Sequence, residues 1–213
     1  MTDPADHADS LALTVCRLGL DPASGRLRHR GHLGVAIRGA LFAELALDGR
    51  LTGERMPRPL GDSESGARMP DAVHRALGGR ALTPWKRWFS HTNADLDAAT
   101  AELVRAGVWR VEGKGRFFDN EAGLTLAQGE RVDRYLSTTA VPAELDDAVV
   151  ALLIGGAGLF GGKPRPRREL SSVDQLLMPV LREGVSQPET VRAAVRASLR
   201  AMRGRGRFPL SSR

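Results

Sequence analysis

The chain has 213 residues, 42% of them hydrophobic, so it can bury a core and is not a disordered segment. Thirty-one Lys and Arg outweigh 25 Asp and Glu, and the formal charge of +6 favours phosphate-bearing partners: anionic lipid, nucleic acid or phosphorylated ligands. A single cysteine, Cys16, excludes an intramolecular disulfide and a cysteine metal cluster, and it fits a reducing compartment.

The N-terminal residues MTDPADHADS are polar and acidic, unlike a secretory leader. Residues 1–9 read as a flexible N-terminus, 10–203 as one helical domain, and 204–213 as a basic tail. Ser10 is placed to cap a first helix, with Leu11, Val15 and Leu18 on one face. The DPASG run from Asp21 to Gly25 is turn chemistry. From Gly31 to Leu51 the sequence GHLGVAIRGALFAELALDGRL places Leu33, Ile37, Leu41 and Leu45 four apart, the stripe of a buried or half-buried helix. Arg38 stands in the middle of that stripe, and its charge requires a partner there. Arg26, Arg28, His29, Arg30 and His32 make the approach to this helix cationic. Together these features ask for an anion nearby.

Leu51 to Arg55 reads as a short strand, Met56 to Met69 as a loop, and Pro70 to Leu77 as a short helix stopped by Gly78 and Gly79. Trp85 and Trp88 flank Lys86 and Arg87. Thr92 or Asn93 caps a helix that runs through Leu96, Ala99 and Leu103 to Gly107. Val108 to Val111, a turn at Gly113-Lys114-Gly115, and Arg116 to Phe118 predict a β-hairpin. Helices are expected over Leu126 to Leu136, Pro142 to Ile154 and Glu169 to Leu181, with a glycine- and proline-rich basic loop over Gly155 to Arg168. Ser186 and Glu189 have the spacing of a capping box for a last helix. That helix has Val191, Ala194, Val195, Leu199 and Met202 on one face and Arg192, Arg196, Arg200 and Arg203 on another. The fold class is mainly α with a small β-hairpin.

No catalytic constellation emerges. GAGLFG, Gly156 to Gly161, has the glycine spacing of a dinucleotide loop, but Gly162, Pro164 and Pro166 forbid the helix whose N-terminus would meet a pyrophosphate. The five histidines are scattered, so no metal set forms. Cys16 lies in an apolar stripe, an inert setting. No cofactor is implied, and the chain reads as a non-enzymatic binder. The longest apolar run, Ala148 to Gly162, is about 15 residues, short of the ~20 a spanning helix needs. At most, then, the chain is peripheral to a membrane. The basic face of the last helix reads either as solvated surface or as an attachment to an anionic membrane, where each Lys or Arg adds ~1 kcal/mol.

A rival reading takes Leu96 to Phe118 as the end of a winged helix, with Gly113 to Arg116 as the wing. Asp95, Asp97 and Glu102, taken as exposed, would repel DNA and argue against nucleic acid.

Several blocks resemble the Golgi phosphoprotein 3 family, whose bacterial relatives are common in actinobacteria. They are AIRGALFAELALDGRL (Ala36 to Leu51), RLGLDPASGRL upstream of it, TPWK (Thr83 to Lys86), AELVRAGVW (Ala101 to Trp109) and Leu145 to Ile154. GRFFDN resembles the start of the family's hairpin. The preponderance of Arg over Lys, with abundant Ala and Gly, fits a GC-rich bacterial genome. The resemblance implies a helical domain that binds the head group of phosphatidylinositol 4-phosphate on the cytoplasmic face of a membrane. In eukaryotes such a domain also engages glycosyltransferase tails, which makes membrane-protein tails candidate partners, and a homo-oligomer is compatible with it. One family ligand-binding arginine falls on Arg38, and the family's tryptophan falls on His29. Two further arginines fall near Asn93 and Leu96, where Arg87 and His91 are close enough to substitute. The expected anion site is therefore Arg38, His29, Arg87 and His91. The alternatives are a protein–protein adaptor with a vestigial anion site and the winged-helix nucleic-acid binder.

Overall fold

The computed structural model describes residues 10–61, 66–90, 92–113, 115–137, 142, 144–159, 166–181 and 185–205. The described elements run α1 (Leu11–Leu18), β1 (Leu20–Asp21), β2 (Arg26–Leu27), α2 (Arg30–Leu47), β3 (Leu51–Thr52), β4 (Arg58–Pro59) and α3 (Arg68–Gly78). Then follow α4 (Trp85–Trp88), α5 (Asn93–Arg105), β5 (Trp109–Val111), β6 (Phe117–Asp119), α6 (Ala122–Ser137), α7 (Leu145–Ala157), α8 (Pro166–Leu177) and α9 (Pro188–Arg205). The protein is mainly helical, as expected.

Helix α2 is the axis of the fold. It buries Leu33, Val35, Ala36, Ile37, Ala40, Leu41, Phe42, Leu45 and Ala46 around most of its circumference. A helix apolar on nearly all sides is a core helix, and α1, α5, α7 and α9 pack round it. Two glycines set how closely the helices approach. A Cβ added at Gly39 would lie 2.1 Å from Ser198 Oγ on α9, and one at Gly156 on α7 would lie 2.3 Å from a Leu199 methyl. Ser198 is fully buried, and its hydroxyl donates to the Ala194 carbonyl one turn back. All three helices thus close on small residues.

The β structure exceeds one hairpin. Among the described residues three antiparallel two-stranded ribbons form, β1–β2, β3–β4 and β5–β6. The second arises inside the predicted Met56 to Met69 loop, where Arg58 and Pro59 pair with Thr52 and Leu51. The β5–β6 ribbon is the expected hairpin, with Trp109 opposite Asp119. GRFFDN supplies its return strand, as expected of Arg116 to Phe118. The ribbon is tied to the β1–β2 turn by Phe117 N–H donating to the Gly25 carbonyl, 2.7 Å. Lys114, the basic residue of the supposed wing, lies outside the described residues.

Several ends differ from expectation for local reasons. Ser10 does not cap α1; its hydroxyl donates to Glu44 Oε2 on α2. α6 begins at Ala122, because Arg17 on α1 hydrogen-bonds Thr125 Oγ1 (2.8 Å) and pairs with Glu121 (3.1 Å), ordering that first turn. α7 runs on to Ala157 and stops at Gly158, which takes the left-handed conformation (φ 71°) that glycine adopts without strain. The helix after it starts at Pro166, inside the predicted loop. α9 starts at Pro188, a favoured first helical residue, and Glu189 pairs with Arg192 instead of completing a box with Ser186.

Candidate functional site: a paired arginine beside a cationic groove

Arg38 projects from α2 toward the start of α5. Its Nε donates to Asp95 Oδ2 at 2.5 Å and its Nη1 to the Trp88 carbonyl at 2.9 Å. The two charged side chains are 14% and 11% exposed, so the anion demanded by the sequence is Asp95 itself. Asp95, expected to face solvent on α5, is buried and faces the core helix. Burial pushes its carboxyl above the usual range, and the hydrogen bond from Arg38 opposes that rise. A signal did exist in the sequence. Asp95, Leu96 and Ala99 fall on one helical face, so the acid shares the buried side.

The other expected site residues are not gathered round Arg38 by any contact among the described residues. His29 is exposed and caps α2 in the left-handed conformation (φ 42°), with its ring 6.5 Å from that of His32. Arg87 is exposed on α4. His91 lies outside the described residues. Arg205, at the end of α9, was not singled out by the sequence. It donates to the carbonyls of Gly31 (3.2 Å) and Phe89 (3.1 Å) and to Thr92 Oγ1 (3.2 Å). One guanidinium thus pins the start of α2, the α4–α5 connection and the end of α9 together. Its burial pulls its pKa below the usual arginine value. Nearby His32 is likewise pulled down, chiefly by burial.

On the outer side of this junction an open groove of about 1400 Å³ runs between α4 and α9. Seven cationic side chains line it against two carboxylates: Arg55 and Lys86 on one wall, Arg192, Arg196, Arg200, Arg203 and Arg205 on the other, with Glu54 and Glu189. Trp85, Phe89, Ala193, Ala197 and Ala201 supply its apolar lining. Arg192 and Arg196 both pair with Asp174 of α8, whose carboxyl is held below its usual range by hydrogen bonding to Arg192, and Arg192 pairs with Glu189 as well. Arg55, Lys86, Arg200 and Arg203 are exposed and have no carboxylate within ion-pair distance among the described residues. The basic stripe seen in the sequence is therefore one wall of a concave surface, with a second wall from α4 and the β3–β4 turn.

The remaining polar groups are structural. Cys16 is buried, and burial drives its thiol far above the usual range. Asp147 pairs with Arg131 of α6. His74 is buried with its Nε2 3.0 Å from the Leu60 carbonyl. Among the described residues, no group of three His, Cys, Asp or Glu could hold a metal ion. Nor is any helix there long and apolar enough to cross a membrane.

These features define a mainly helical protein wound round one buried helix, with an open cationic groove on its flank. The family model for Golgi phosphoprotein 3 (GPP34) matches residues 11–202, most of the chain. The chain belongs to the Golgi phosphoprotein 3 family. No curated protein matches its sequence.

Proposed function

We propose that this chain is a peripheral membrane-associated protein that holds an anionic lipid head group in the α4/α9 groove. Phosphatidylinositol 4-phosphate is the head group that family membership suggests. One observation carries this reading: four cations without a carboxylate partner among the described residues, Arg55, Lys86, Arg200 and Arg203, line one concave surface. A solvated amphipathic face needs no second wall. A phosphate site does, because a tetrahedral group with several acceptor oxygens is best met from more than one side.

Arg38 is the position that family resemblance marks, with His29, Arg87 and His91 as its expected partners. Arg38 already spends its Nε on Asp95 and its Nη1 on the Trp88 carbonyl, so it serves first to brace α2 against α5. The same pair favours a second reading, a protein–protein adaptor in which the ancestral anion position has been filled from within.

Vesicle co-sedimentation separates the two. The parent protein should bind vesicles containing phosphatidylinositol 4-phosphate, and more weakly those containing phosphatidylglycerol, while leaving pure phosphatidylcholine vesicles alone. Arg38→Ala, in protein that remains folded, should keep most of this binding. Absence of binding to every anionic vesicle at low salt would sink the lipid reading and leave the adaptor. Loss of binding in folded Arg38→Ala would move the site from the groove to Arg38.

A further inference from the structure

The groove is not uniformly cationic, and its polarity is fixed by contacts at either end. Gly53 N–H donates to Thr190 Oγ1 at 3.1 Å, and Trp85 Nε1 donates to the Glu54 main-chain carbonyl at 3.0 Å. These two bonds hold Glu54 against the first turn of α9, beside Glu189. At the far end, Arg205 bonds the Phe89 carbonyl, which places Phe89 and Ser90 against the last turn of α9. Both carboxylates of the groove therefore stand at one end, where Glu189 pairs with Arg192 and Arg55 follows Glu54 in the chain, so that end is close to neutral; Arg200 and Arg203, unpaired among the described residues, stand at the other. Along the helix, Glu189 and Arg203 are separated by about 21 Å at 1.5 Å per residue.

A single phosphorylated ring does not span that length. The volume of about 1400 Å³ also exceeds the roughly 300–1,000 Å³ of a pocket for one small ligand. A purely anionic ligand filling the groove would meet Glu54, an exposed carboxylate with no cation within ion-pair distance among the described residues. A carboxylate accepts hydrogen bonds only. What suits that end is a neutral group rich in hydroxyl donors. A zwitterionic head group would also offer a donor, but its ammonium lies too close to its phosphate to reach the opposite end.

Resting on the lipid reading above, we infer that the groove accommodates an extended glycosylated phospholipid head group. Its phosphate lies at Arg200 and Arg203, and its sugar hydroxyls donate to Glu54 at the opposite end.

The test uses the whole chain and neutral phosphatidylcholine vesicles doped, at equal mole fraction, with phosphatidylglycerol, phosphatidylinositol, or phosphatidylinositol bearing two hexoses on its ring. All three dopants carry one phosphodiester charge, so attraction by charge alone is equal. The parent should bind the dihexose lipid about tenfold more tightly than phosphatidylinositol, the worth of one hydrogen bond to a charged group. Glu54→Ala keeps the main-chain carbonyl that Trp85 uses. It should erase that preference while binding phosphatidylglycerol vesicles at least as well as the parent, which also reports an intact protein. Equal affinity of the parent for the two inositol lipids would overturn the inference and leave the lipid reading standing. A hexose preference that survives in Glu54→Ala would overturn the assignment of the sugar end. Failure to bind any of the doped vesicles would overturn the inference, and failure on phosphatidylinositol 4-phosphate vesicles as well would overturn both readings together.

Discussion

The charge of Arg38 is answered within the chain, and this makes a stability prediction rather than a binding one. Removing Arg38 leaves Asp95 buried without its strongest partner, a change that typically costs about 3–5 kcal/mol for a fully buried pair and less where, as here, some solvent reaches it. Asp95 already titrates above its ordinary value in the fold, chiefly through burial. Without Arg38 it should rise further. A carboxyl raised by folding favours the folded state while protonated and loses that advantage as pH rises through its folded value. Chemical denaturation of Arg38→Ala should therefore show a deficit that shrinks toward acid pH; a deficit constant with pH would contradict a charge-pair origin.

Glu44 makes the same argument on α2. Burial, opposed by the hydrogen bond from Ser10, raises it from 4.5 to about 7. It contributes fully below its unfolded value, and that contribution is lost as pH rises through about 7, a change of up to about 3 kcal/mol at 1.36 kcal/mol per unit. Glu44→Gln should flatten this part of the pH–stability profile and be more stable than the parent at alkaline pH. If the two profiles run parallel between pH 5 and 8, Glu44 is not the titrating group.

At the scale of elements, the α2–α9 contact rests on Gly39 facing Ser198. Gly39→Ala places a methyl where the serine already stands. Overpacking of this kind costs about 1–3 kcal/mol, more than the helix propensity gained from alanine. Ser198→Gly in the same chain should recover part of the loss in a thermal melt. If the two effects simply add, with no recovery, the helices do not meet there. Much of this framework was legible in the sequence. The four-residue spacing of Leu33, Ile37, Leu41 and Leu45 marks α2, and the arginines of α9 alternate with its apolar face. Less legible were features set by tertiary contact. The start of α6 depends on Arg17 reaching Thr125 and Glu121 from a distant helix. The β3–β4 ribbon depends on Arg58 and Pro59 finding a partner strand only two residues long. The site divides in the same way. The basic stripe of α9 could be read from spacing, whereas the opposing wall from Arg55 and Lys86, and the closure of the end by Arg205, appear only when the chain is folded.

For the whole molecule, the net charge of +6 gives a general attraction to anionic surfaces, and the groove concentrates it. The attraction between exposed charges is screened over about 8–10 Å at physiological salt, so vesicle binding should weaken steeply as salt is raised. The central claim is that the groove cations left without a carboxylate partner among the described residues hold the lipid phosphate. Its most direct test is the partition of Arg200→Ala/Arg203→Ala, beside the parent, onto phosphatidylinositol 4-phosphate vesicles at low salt. Both residues are exposed at the end of α9, so folding should be unaffected. At ~1 kcal/mol for each arginine near an anionic surface, the double variant should bind roughly 30-fold more weakly. Undiminished binding by the folded double variant would contradict the account.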